Sequence, residues 1–145
     1  MAGKKKHIIK LKLIRIDKTG CHLAVTAKIK RKSARLVVDT GASQTVFDIN
    51  RISEFIGHSD FEKIATLSSG LGTNTMESHL VFVPGFKIGT LEIKDEKMVL
   101  LDLTHVNQSF EMMNLKPIDG VLGGDVLRRY NAVIDYEKKV LILKG

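Results

Sequence analysis

Ala34-Arg35-Leu36-Val37-Val38-Asp39-Thr40-Gly41-Ala42-Ser43 is the stretch on which the reading of this chain turns. Its apolar, β-branched run fits a buried strand. That strand delivers one carboxylate into a tight Thr-Gly turn and holds it rigidly. An acid at the end of an apolar strand suffers desolvation, and asparagine would serve a merely structural role equally well. Asp39 is therefore the first candidate for chemistry. The stretch occurs only once.

Outward from it, the pattern is mostly strand. Residues 7–16 alternate, Asp17-Lys18-Thr19-Gly20 is turn chemistry, and residues 21–29 alternate again, which together predict a long β-hairpin. Residues 35–39 form the short buried strand. Asp48 is placed to cap a short helix ending at Gly57. Residues 61–67 and 76–83 are strand-like, and around 86–88, 91–93 and 98–103 further strands follow, the first two joined at Gly89-Thr90. Residues 104–115 fit either a loop or a short helix. Asp125 stands where an N-cap would, before a helix over 126–130, and residues 132–136 and 139–143 make a closing hairpin.

A second signature, Val121-Leu122-Gly123-Gly124-Asp125 followed by a helix, gives the first its weight. The Asp-Thr-Gly-Ala loop, the Gly-rich hairpin, this apolar-apolar-Gly segment and the ending Ala132-Val133-Ile134-Asp135-Tyr136 together resemble the retropepsin-like, single-domain aspartic proteases of bacterial type. The resemblance covers roughly residues 20–143. It implies a mostly β chain, the closed β-barrel of the acid protease fold, with two or three short helices. Residues 1–19 would form a basic tail and first strand of the same unit, and residues 20–145 the protease domain.

The resemblance also implies roles. Asp39 would be the catalytic acid, paired with Asp39 of a second chain, because one copy per chain leaves no other partner. Thr40 would brace the loop across to the other subunit, Gly41 would admit backbone and substrate, and Ala42 or Ser43 would adjust the carboxylate. Ser69, Gly70, Leu71, Gly72, Thr73 and Asn74 match the flap that closes over an extended peptide, although the aromatic residue many family flaps carry is missing. Val121, Leu122, Gly123, Gly124 and Asp125 would support the loop from behind. Asp48, Asp102, Asp119 and Asp135 lack the Thr-Gly context and read as structural.

The implied activity is that of an aspartic endopeptidase acting on peptides or unfolded proteins as a homodimer, without cofactor or metal. A noncatalytic peptide-binding or dimerisation module that keeps the same fold is the alternative. One cysteine, Cys21, excludes an intramolecular disulfide and reads as half-buried, while His22, His58, His79 and His105 lack ligand spacing and read as surface or packing residues. With 145 residues, 43% of them hydrophobic and 27% charged, the chain has the composition of an ordinary globular domain. The net charge of +7 concentrates in Lys4-Lys5-Lys6 and in residues 28–35, with no RNA-binding aromatic signature or zinc-finger spacing beside it. Nucleic acid is thus not expected as a partner. Lysines interrupt the N-terminal apolar residues and no stretch has the length of a membrane span, so the expected location is cytoplasmic, without membrane association.

Overall fold

The computed structural model describes residues 3–64, 67–68, 75–94 and 97–145, with backbone alone at 67–68 and 75–76. Among them the chain forms β1 (Lys6–Lys10), β2 (Lys12–Arg15), β3 (Cys21–Ile29), β4 (Lys32–Val38), β5 (Val46–Asp48), α1 (Ser53–Ile56), β6 (Glu62–Lys63), β7 (Leu67–Ser68), β8 (Thr75–Met76) and β9 (His79–Phe82). There follow β10 (Phe86–Ile88), β11 (Leu91–Glu92), β12 (Lys97–Leu101), α2 (Thr104–Met112), β13 (Gly120–Leu122), α3 (Gly124–Arg129), β14 (Val133–Asp135) and β15 (Val140–Lys144). The architecture is mostly β with three short helices, and the ambiguous segment after β12 is helical. None of the described helices is long and apolar enough to cross a membrane.

Ten strands form the main sheet, in the order β11-β10-β3-β4-β13-β5-β12-β9-β6, with β2 added alongside β3. This hydrogen-bonded path has two ends, β11 and β6. A second sheet runs β1-β15-β14, and β7 pairs with β8. The centre is set by β3 and β4, paired from Leu23↔Val38 to Ile29↔Lys32. Ala34, Leu36 and Val38 enter the larger core with Phe47, Phe86 and Leu122, while Val37 points into a smaller one with Ala24, Phe110 and Ile118. The unbroken apolar run 36–38 is explained by this: helix α2 covers one face of the sheet and the main core covers the other.

β13 lies between β4 and β5, parallel to the first and antiparallel to the second. Two glycines allow this insertion. A Cβ on Gly120 would collide with the Val46 carbonyl oxygen, and one on Gly123 would lie 2.5 Å from the Gln44 oxygen and 2.9 Å from the Ala42 oxygen. Both obstacles are backbone, which cannot swing aside.

The predicted first hairpin is corrected. Residues 7–16 are not one strand: β1 pairs with β15, and only β2 pairs with β3. The chain changes sheets at Leu11, which is buried and whose N–H donates to the Lys139 carbonyl at 2.9 Å. The inward set is His7, Ile9 and Leu11, leaving Ile8 67% exposed. The turn is as expected, with Asp17 Oδ1 accepting from the N–H groups of Thr19 at 2.8 Å and Gly20 at 2.5 Å. These bonds, the Gly20 one foremost, hold the Asp17 carboxyl below its ordinary pKa. Cys21 is exposed rather than half-buried, because it stands at the open end of β3 beside the turn, although it shares the strand face of Leu23 and Val25.

Asp48 does not cap α1. The helix begins only at Ser53 and has no side-chain cap, though it ends at Gly57 in the left-handed conformation (φ 82°) as expected. Asp48 is buried instead, accepting from Asn50 N at 3.1 Å, Leu103 N at 3.3 Å and Asn107 Nδ2 at 3.3 Å. Asp102 accepts from Thr104 N at 2.9 Å, from the Thr104 hydroxyl and from Asn50 Nδ2 at 2.8 Å. The Thr104 hydroxyl is the main cause holding its carboxyl below the ordinary pKa. A carboxyl depressed on folding adds stability above its unfolded pKa of about 3.9 and loses that contribution as pH falls through the lower folded value. Asp102→Asn should therefore lower stability at pH 7, differ little from the wild type once the carboxyl is protonated in strong acid, and so flatten the acid loss of stability. Urea melts across pH 2–7 would show it, and an unchanged acid slope would refute it.

Gly123→Ala should destabilise the fold by about 1–3 kcal/mol through overpacking. The check is a lower urea midpoint at constant slope, and an unchanged midpoint would contradict the tight contact.

Candidate active site

Asp39 follows β4 directly, and the loop after it is stitched to β13 and the start of α3. Asp39 N donates to the Leu122 carbonyl at 3.0 Å, Gly124 N to the Ala42 carbonyl at 2.7 Å, and Asp125 N to the Ser43 carbonyl at 3.1 Å. Inside the loop, Ala42 N donates to the Asp39 carbonyl at 3.2 Å, and Gly41 N donates to Asp39 Oδ1 at 2.9 Å. A tight turn pinned by these bonds presents the carboxylate at a fixed place.

Thr45 locks this arrangement from behind. Its buried hydroxyl donates to Asp125 Oδ1 at 2.7 Å and accepts from Gly123 N at 3.0 Å, while its own N–H donates to the same carboxylate oxygen at 2.9 Å. Asp125 is therefore not the N-cap. Gly123 holds that position, in extended backbone, and Asp125 lies in the first turn of α3, where its carboxylate also meets the helix's positive end. Its side chain faces the Thr45 segment because that is where unpaired donors lie.

Asp119, expected as a turn or strand-start residue, is a buried anchor. It accepts from Arg35 N at 2.8 Å and from Arg51 Nε at 2.7 Å. That bond keeps the Arg51 guanidinium firmly charged, raising its pKa. Asn107 completes the support from α2, accepting from Ile118 N at 2.8 Å and donating to the Ile118 carbonyl at 3.1 Å. Asp135 is structural as expected, accepting from Lys138 N at 2.8 Å.

The structure thus brings Asp39, Thr40, Gly41, Ala42 and Ser43 against Leu122, Gly123, Gly124 and Asp125, with Val121 half-buried in β13 beside them. Asp39, Thr40 and Gly41 are exposed in the single chain, so the desolvation expected for Asp39 is not supplied by its own strand. Ser69, Gly70, Leu71, Gly72, Thr73 and Asn74 lie outside the described residues. The backbone on either side of them pairs antiparallel, Ser68 with Thr75 and Leu67 with Met76. Thr45, Arg51 and Asn107 escaped the sequence reading, since each acts on a partner far away in the chain. His22 stacks on Phe110 with ring centroids 5.8 Å apart, His58 and His105 are exposed, and His79 is half-buried. Among the described residues no cluster of His, Cys, Asp and Glu could hold a metal ion.

Set beside known proteins, a strand-borne Asp-Thr-Gly turn backed by a glycine-bearing strand has clear counterparts. The family model described as aspartyl protease matches residues 25–126, and the chain belongs to that family. Its fold is retropepsin-like. A retropepsin-like aspartic protease from Rickettsia conorii superposes with a TM-score of 0.60 at 20% identity, covering 96% of this chain and 98% of that one. The retroviral protease-like domain of Ddi1 from Leishmania major superposes with a TM-score of 0.57 at 15% identity, covering 84% and 87% respectively. No curated protein sequence matches the chain.

Thr45→Val should cost about 1–3 kcal/mol, since it leaves the buried Gly123 N–H without an acceptor. Thr45→Ser keeps the hydroxyl and should recover most of that. Equal midpoints for the two variants in chemical denaturation would remove Thr45 from this role.

Proposed function

We propose that this chain is an aspartic endopeptidase that works as a homodimer, with Asp39 of each subunit meeting across a two-fold axis. The observation that carries the reading is a rigidly held Asp-Thr-Gly loop, present once and exposed in the lone chain, in a member of the aspartyl protease family. A two-fold pairing is the simplest way to build a symmetric dyad from one copy. It would also bury the exposed loop and supply the low-dielectric surroundings that the strand alone does not.

Two carboxylates at close range share one proton, as in aspartic proteases generally. The ionised member takes a proton from a water held between them, and that water attacks the scissile carbonyl. The protonated member donates to the carbonyl oxygen. No covalent acyl-enzyme forms. Ser69 to Asn74 would close over the peptide as a lid, a placement supported by the antiparallel backbone on either side. The substrate would bind as an extended strand, with alternating pockets setting preference.

A noncatalytic peptide-binding module is the second reading, favoured by one contact. Asp39 Oδ1 already accepts from Gly41 N within its own turn, which is a structural role for this carboxylate. The Asp39→Asn variant separates the two readings. It should keep the wild-type circular dichroism spectrum and lose cleavage of unfolded protein by at least about 10²–10⁴-fold. Cleavage should be pepstatin-sensitive and stronger at acidic pH, where the dyad holds a single proton. Full activity in the variant would end the proposal, as would a monomer by sedimentation under cleaving conditions.

A further inference from the structure

The geometry points to a second binding site, a groove that takes an acidic polypeptide segment, away from Asp39. It has a volume of about 930 Å³, and its basic lining is Lys10, Lys12, Arg15, Arg35, Lys116 and Lys139. These come from β1, β2 and β4, from the segment leading into β13 and from the turn before β15, so the fold assembles the charge from distant parts of the chain. The lining holds one acid, Asp119, and its two oxygens are engaged by Arg51 Nε and Arg35 N. None of the six cations has an ion-pair partner among the described residues. Arg35 Nε is moreover buried without a hydrogen-bond partner. A buried donor left unpaired is unfavourable, and an arriving carboxylate would remove that penalty.

The rest of the lining selects among anions. Half-buried Leu13 and the aliphatic stems of the lysines and arginines supply an apolar component over a floor of buried Ile9, Leu11, Ala24, Val25 and Ala34, and no lining residue is aromatic. Single-stranded nucleic acid is held by stacking bases on aromatic rings in addition to charge, and that platform is missing here. An extended peptide in which acidic residues alternate with aliphatic ones matches both the cations and the apolar component. Its orientation relative to the dyad follows from β4. Ser33, Ala34 and Arg35 line the groove, and Asp39 lies four residues further on, about 13 Å along an extended strand. The occupant is an acidic segment of a protein partner, and its binding does not depend on cleavage.

The test uses the full chain carrying Asp39→Asn, so that the probe is not cut, and a fluorescein-labelled decapeptide alternating glutamate with leucine or alanine. Anisotropy at low salt should show binding that weakens steeply as salt rises. Lys12→Glu with Lys116→Glu, both exposed positions, should weaken binding about tenfold or more. Lys18→Glu with Lys87→Glu makes the same change in net charge outside the groove and should leave affinity within about twofold. Equal losses in the two double variants, or no binding at low salt, would overturn the proposal. So would tighter binding of a ten-nucleotide oligothymidylate that is lost with Lys12 and Lys116.

Discussion

Close backbone contact between β13 and the loop after Asp39 is the constraint on which the rest depends. Where Gly123 passes the carbonyls of Ala42 and Gln44 there is no room for a side chain. The approach lets Asp39 N reach the Leu122 oxygen and Gly124 N reach the Ala42 oxygen. An exposed loop of small residues would otherwise sample many conformations. Here its geometry is dictated by a strand buried in the sheet, and Thr45 and Asp125 close the remaining gap with side-chain bonds. Rigidity at the turn is therefore a property of the core rather than of the turn's own sequence.

The same sheet manages its polar groups in a consistent way. Asp48 and Asp119 are buried carboxylates, and each is surrounded by donors from separate elements. Such groups are costly to bury unless paired, so they fix which segments must come together. Asp48 joins the end of β5 to α2 and to the end of β12, while Asp119 joins β4 to the turn before α1. Both clusters lie beside the strands that carry the Asp39 loop and its support.

Much of this was legible in the sequence wherever a local signal coincided with the global fold. Leu36-Val37-Val38 is continuous because both faces are covered, and it led directly to Asp39. Gly57, Gly89-Thr90 and the hairpin at Asp135 were readable because turns and helix ends have their own chemistry. What stayed hidden depended on distance along the chain. Alternation runs on either side of Leu11, and nothing local says that the strand changes sheets there. Asp48 and Asp125 sit before helical segments as caps do, yet each has partners dozens of residues away that no local signal reveals. Thr45 has no motif at all; only the fold places it between Gly123 and Asp125.

The pairing of β1 with β15 has its own consequence for biogenesis. Lys6 to Lys10 leave the ribosome before their partners, and Val140 to Lys144 emerge more than a hundred residues later. During that interval the segment is an orphan strand, and Lys6 and Lys10 at its ends discourage adventitious edge pairing. Final closure is thus a late, high-contact-order event, which waits for residues 140–144.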